Sequence, residues 1–139
     1  ELMYSAIGGD GKVNFMIKKE WLRFPFNLII GPLGGIAVDR SKRTSLVDQM
    51  VTEFGKRDVC RIAITPEGTR KANANWRRGF YHIATQANVP ILLTYFDYKK
   101  KCAGIERIFT PTGDVDKDMQ EIKEYFSQFS GKSPENFAI

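Results

Sequence analysis

Histidine is nearly missing: His82 is the single one in 139 residues. That count excludes multi-histidine metal centres and confines any histidine-based catalysis to one position. Cysteine is scarce as well. Cys60 and Cys102 belong to no Cys-x-x-Cys pair, and with one histidine they cannot complete a zinc site, so no metal is expected. They read as two buried or half-buried thiols in a reducing compartment, with a disulfide between them open but not required. No run approaches the ~18 apolar residues that a membrane-spanning helix needs. The nearest, Phe24 to Val38, is uncharged but is broken by Pro25, Asn27, Pro32 and three glycines. Nothing at the start has the pattern of a signal peptide. Internal repeats and linker-like stretches are also lacking, so a single domain over 1–139 is expected. Its opening residues, Glu-Leu-Met-Tyr-Ser-Ala-Ile, read as the middle of a helix with no start signal, so an N-terminal part is expected to be missing ahead of Glu1.

What is present is ordinary for a folded domain. Apolar residues make up 42% and charged residues 27%, which argues against disorder. Lysine and arginine total 21 against 16 acids, a net charge of +5. An excess of this size fits nucleic acid, an anionic membrane surface, a small phosphorylated ligand, or no partner at all.

Periodicity gives the elements. Residues 13–18 read as a short strand, and 19–30 as a helix apolar nearly all round, buried or membrane-facing, interrupted near Pro25. Ile36-Ala37-Val38 is a second short strand entered through Gly34-Gly35. Leu46, Val47, Met50, Val51 and Phe54 make an amphipathic helix over 44–56, with Gly55 as its stop. Cys60 to Thr65 reads as a third strand ended by Pro66. Phe80, Ile83, Ala84 and Ala87 form the next helical stripe, stopped by Asn88, and Ile91 to Tyr98 is a strong strand. After the turn at Lys99-Lys100-Lys101, Ala103 to Thr110 is expected to pair back antiparallel. A last helix at about 115–129 carries Met119, Ile122, Phe126 and Phe129, and the tail from Gly131 is expected to be loose. Strands alternating with helices predict an α/β fold, a mostly parallel sheet with helices on both faces and an antiparallel edge.

Two segments carry the candidate chemistry. Pro66-Glu67-Gly68-Thr69-Arg70-Lys71 follows a strand, where sheets of this type bind ligands. Gly68 permits a close backbone approach, Thr69 offers a hydroxyl, and Arg70 a planar fork suited to phosphate. Glu67 can accept a ligand hydroxyl or orient Arg70. Gly34-Gly35-Ile36-Ala37-Val38-Asp39-Arg40 repeats the layout. Each segment alone is also what a solvated turn with an incidental ion pair looks like. In a parallel sheet both strand ends emerge at one edge, so Arg40 and Arg70 are placed to converge on a phosphate.

These two segments resemble the second and third sequence blocks of the glycerolipid acyltransferases, the lysophosphatidic acid acyltransferase family, in order and in a spacing of about 30 residues. Val89-Pro90-Ile91 is similar to the fourth block. Phe15-Met16-Ile17-Lys18-Lys19-Glu20 resembles the lysine-bearing strand before the second, and Gly79-Phe80 with Ile83-Ala84 the helix after the third. The likeness runs from about Phe15 to Tyr98, and Asp97 to Gly113 looks like a bacterial branch. The family's His-x-x-x-x-Asp block is not in this chain. His82 is followed five residues later by Ala87 and lies after the third block, so it does not take the role of catalytic base; the resemblance places the dyad ahead of Glu1. Thr65 stands where a large apolar residue is common and Lys71 where serine is common.

The resemblance implies an O-acyltransferase. A histidine base deprotonates the acceptor hydroxyl, which attacks an acyl thioester of coenzyme A or acyl-carrier protein, without a further cofactor. It implies a lysophospholipid acceptor, lysophosphatidic acid first, whose phosphate is held by Lys18, Arg40 and Arg70. Glu67, Gly68 and Thr69 would shape the acceptor side. It also implies a peripheral or monotopic place on the cytoplasmic side of a membrane, with Trp21 to Ile30 at the interface. The alternatives are an inactive lysophospholipid-binding relative or an enzyme for another lysolipid. Nucleic acid is disfavoured, because the aromatics mostly follow core periodicities instead of interleaving with basic residues.

Overall fold

The computed structural model describes residues 13–39, 45–67 and 74–130. The chain forms two compact units that divide after Ile64.

In the first unit, β1 (Phe15–Lys18) pairs in parallel with β2 (Gly35–Val38), Phe15 opposite Gly35 and Lys18 opposite Val38. Alternation buries Ile36 and Val38 and exposes Ala37. Buried Val13 and Met50 add to the core of this unit. On the other side of β1, Asn14 alone forms a parallel bridge with Ile62. Its N–H donates to the Arg61 carbonyl at 2.6 Å, and its carbonyl accepts from Ala63 N–H at 3.0 Å. The strand expected over Cys60 to Thr65 is therefore reduced to one bridge. The pairing on that side is confined to Asn14 and Ile62.

The stretch 19–30 departs most from expectation. In place of one helix there is a 3-10 helix (Lys19–Leu22), a cis Phe24–Pro25 bond and a single helical turn, α1 (Asn27–Ile30). Proline lacks the donor and the backbone room to continue a helix, so the chain restarts after it. The buried alternative fails as well: Phe24, Phe26, Leu28 and Ile29 are exposed. α2 (Leu46–Gly55) follows the predicted stripe and starts in a capping box. The Ser45 hydroxyl accepts from Asp48 N–H at 3.1 Å, and the Asp48 carboxylate accepts from Ser45 N–H at 3.3 Å.

The second unit holds α3 (Gly79–Ala87), the antiparallel pair β3 (Ile91–Asp97) and β4 (Cys102–Phe109), and α4 (Val115–Ser127). Asn88 ends α3 in the left-handed region at φ 52°, a conformation asparagine tolerates. Trp76, Leu93, Phe109, Met119 and Ile122 form its core, with Phe80 and Phe126 packed against it. Phe129 stacks on Tyr95, ring centroids 3.9 Å apart. Arg107 on β4 pairs with Glu121 on α4. Helices and strands are thus mixed as an α/β chain requires. Among the described residues, parallel pairing amounts to β1–β2 and the Asn14 bridge, less than the mostly parallel sheet expected.

Candidate functional site

Parallel pairing brings the C-terminal ends of β1 and β2 to one edge of the first unit. Lys18 closes β1, exposed, and stands opposite Val38 in the register. The next residues meet across the same edge, where Lys19 Nζ lies 3.4 Å from Asp39 Oδ2. Asp39 is further held by a feature that the sequence reading missed. The Gln49 side chain of α2 accepts from Asp39 N–H at 3.0 Å and donates to the Asp39 carbonyl at 2.8 Å. This double clamp fixes the backbone one residue before Arg40. A glutamine on a helix surface gives no sequence signal for such a role. At the entry to the strand, Gly34 has φ +96°, and a Cβ there would lie 2.8 Å from the Val13 carbonyl. Gly35 is tighter still, 2.6 Å from Ile30 Cγ2 and 2.9 Å from the Ile30 carbonyl. The glycine pair is therefore required by contact as well as by conformation.

In the second unit Glu67 is half-buried. The Pro66 carbonyl accepts from Arg77 N–H at 2.8 Å, so the chain leaving at Pro66 is tied to the chain returning at Arg77. The return is seated by Trp76 in the core and by Lys123 Nζ, which donates to the Ala74 carbonyl at 2.6 Å and lies 5.8 Å from the Trp76 ring centroid. A cleft of about 450 Å³ opens there, between Ala74–Trp76 and the face of α4 that carries Met119 and Lys123. Arg78 and Asp116 pair at 2.7 Å on its rim. Its charged groups are already engaged with one another and with backbone. Of the expected site residues, Lys18 and Glu67 are placed as above. Arg40, Gly68, Thr69 and Arg70, and with them the convergence of the two arginines, lie outside the described residues.

The histidine and the two cysteines lie among the described residues. His82 sits exposed on α3, its ring edge-on to Tyr81. Both cysteines are free thiols; Cys60 is half-buried, whereas Cys102 is exposed, contrary to expectation. Burial pushes the Cys60 thiol up, with Arg57 opposing and Glu53 assisting, which disfavours a thiolate nucleophile. Among the described residues there is no group of three or more His, Cys, Asp or Glu that could hold a metal ion.

A second missed feature is a buried polar knot. Fully buried Asp118 accepts from Tyr81 Oη at 2.7 Å, from Thr112 N–H at 2.7 Å and from Thr112 Oγ1 at 2.8 Å, while Gly113 N–H donates to Tyr81 Oη at 3.0 Å. Burial pushes Asp118 up, but the donations from Thr112 and Tyr81 outweigh it and hold the carboxyl below its ordinary value. Burial and the Asp118 carboxylate push Tyr81 up. The signal was available in the sequence, since Asp118 stands three residues after Val115 and four before Ile122, on an apolar helical face.

Comparison with known proteins bears on the same segments. Residues 2–95, about two thirds of the chain, match the family model described as Acyltransferase. A mouse protein, 1-acyl-sn-glycerol-3-phosphate acyltransferase alpha, is 36% identical over 88 residues, which cover 58% of this chain and 30% of the mouse protein. The chain thus spans less than a third of the curated relative it matches. No solved structure matches it.

Proposed function

The chain belongs to the glycerolipid acyltransferase family, and from that premise we propose that the protein transfers a fatty acyl chain to a lysophospholipid hydroxyl, converting lysophosphatidic acid to phosphatidic acid. The observation that carries the reading is the family match across both candidate segments, Gly34 to Arg40 and Pro66 to Arg70. The name of the mouse relative supports the acceptor. In the proposed reaction a general base takes the proton of the acceptor hydroxyl, and the oxygen attacks the thioester carbonyl. The new C–O bond replaces the C–S bond, and the thiol of coenzyme A or acyl-carrier protein leaves with the proton. His82 is not that base; the family resemblance assigns the role to a His-x-x-x-x-Asp pair. Lys18, Arg40 and Arg70 supply fixed positive charge for the acceptor phosphate, with Glu67, Gly68 and Thr69 beside it. The clamp of Gln49 on Asp39 supports this reading, because it fixes the residue that precedes Arg40 in the sequence. Acceptor and acyl donor are both amphiphiles, which supports a reaction at a membrane surface, and the family resemblance suggests its cytoplasmic side.

Steady-state assays of the full-length protein as encoded, with lysophosphatidic acid and either donor, test the reading. Arg40→Ala and Arg70→Ala should each raise the KM for the acceptor about tenfold or more, the loss of one charge-assisted contact, and leave the KM for the thioester unchanged. An unchanged acceptor KM in both variants removes the phosphate assignment. Lysophosphatidic acid binding without turnover identifies an inactive relative.

A further inference from the structure

Between Phe24 and Leu33 the first unit turns its apolar side chains outward. Phe24, Phe26, Leu28, Ile29 and Leu33 are 55–81% exposed. Among the described residues no other stretch of this length exposes as many large apolar groups. Such a cluster in water is unfavourable and marks a surface that meets something apolar.

Three observations identify what it meets. The first is backbone satisfaction. From Asn27 to Gly34 every N–H donates to a carbonyl of the same segment: Asn27 to Arg23, Leu28 to Pro25, Ile29 and Ile30 to Phe26, Gly31 to Asn27, Leu33 to Ile29 and Gly34 to Gly31. Pro25 and Pro32 have no N–H to satisfy. The donors from Asn27 to Gly34 are therefore not stranded when this part of the segment leaves water, one of the conditions that a lipid phase sets. The second is charge. Lys18, Lys19 and Arg23 stand exposed where the segment begins, against Glu20 and an Asp39 already beside Lys19. Apolar side chains next to a basic margin match acyl chains next to anionic headgroups. The third is seating: Ile30 points inward and packs on Gly35, so the segment is docked on β2 while its other apolar side chains face out. No helix among the described residues is long and apolar enough to cross a membrane, so the segment would lie in the surface.

We propose that Phe24–Leu33 inserts into the surface of an anionic phospholipid bilayer, with Lys18, Lys19 and Arg23 at its headgroups. This deepens the acyltransferase reading by naming the face that meets the membrane. It places the end of β1 at headgroup level, where the phosphate of an embedded acceptor lies.

Flotation of the full-length protein with phosphatidylcholine–phosphatidylglycerol vesicles, against pure phosphatidylcholine vesicles, provides the test. Phe24→Ser/Ile29→Ser should weaken partition about tenfold or more, given the apolar area removed, with an unchanged unfolding midpoint. Arg23→Glu should weaken binding to the anionic vesicles and not to the neutral ones. Val59→Ser, an exposed apolar change elsewhere in the first unit, should alter neither. Unchanged partition of the double variant overturns the proposal. So does intact vesicle binding with an altered sedimentation coefficient, which would assign the face to a second copy of the chain. Vesicle binding that follows this pattern while no lysophospholipid is acylated would overturn the proposed reaction and leave the membrane face standing.

Discussion

Asp118 carries a carboxylate into the same helical face as Met119 and Ile122, and the three donations it receives make that tolerable. Tyr81 is the pivot, because its one hydroxyl donates to Asp118 and accepts from Gly113. Tyr81→Phe removes both bonds and leaves the Gly113 N–H without this acceptor. The expected loss is about 1–3 kcal/mol of unfolding free energy, read by urea denaturation at neutral pH; a loss below a few tenths would show that the knot is replaceable. Residues of this kind are where the sequence is hardest to read. Asp118 and Asp116 are the same residue type two positions apart on α4, one fully buried and the other exposed on the rim of a cleft. Asp118 has apolar residues on both sides, Val115 and Ile122, whereas Asp116 has Met119 on one side alone. Gln49 has no such marker, since its partner is backbone, which every residue carries.

At the scale of elements, legibility follows the source of each element's stability. Helices with a one-sided apolar stripe were readable, and α2 and α4 fall within the expected spans. The hairpin was readable because Ile91 to Asp97 is rich in residues that suit strands and is followed by a lysine-rich turn. Cys60 to Thr65 has similar apolar content yet makes one bridge, because a strand exists only as far as its neighbour pairs with it. The apolar run before Gly34 was ambiguous for another reason: hydrophobicity reports that a face avoids water, not whether protein or lipid receives it. The capping box of α2 is an element-scale claim with its own check. Ser45→Ala should cost about 1 kcal/mol of stability. Because α2 also carries Gln49, the variant should loosen the Asp39 clamp, seen as a smaller chemical-shift dispersion of the Gln49 side-chain amide in NMR spectra.

For the whole molecule, net charge and titration set the working range. The folded Asp118 carboxyl lies below its unfolded value of about 4. Its contribution is therefore complete above that pH and is lost as pH falls through the folded value. Tyr81 lies above its unfolded value of about 10, so its contribution is complete below that pH and is lost as pH rises through the folded value. The unfolding midpoint should thus hold level through neutrality and fall at both ends. Asp118→Asn should remove the acidic fall assigned to this residue, at a lower plateau. A thermal melt series across pH checks this, and an acid limb identical in the variant would remove Asp118 from the explanation. The candidate site was legible as a set of segments. Its organisation was not, because the clamp on Asp39 and the tie from Arg77 to Pro66 depend on backbone atoms brought together by folding.

Gly35 has one last consequence, for how this chain tolerates mutation. Any other amino acid at that position adds a Cβ, and the Ile30 carbonyl stands 2.9 Å from where it would sit. Trimming the Ile30 side chain relieves only the side-chain contact, so no partner mutation there opens the position. Gly55 and Gly79, whose added Cβ would meet nothing within 4 Å, are free to drift. Three glycines identical on paper thus differ in their mutational freedom, and the one that is locked joins the apolar segment to the strand leading to Arg40.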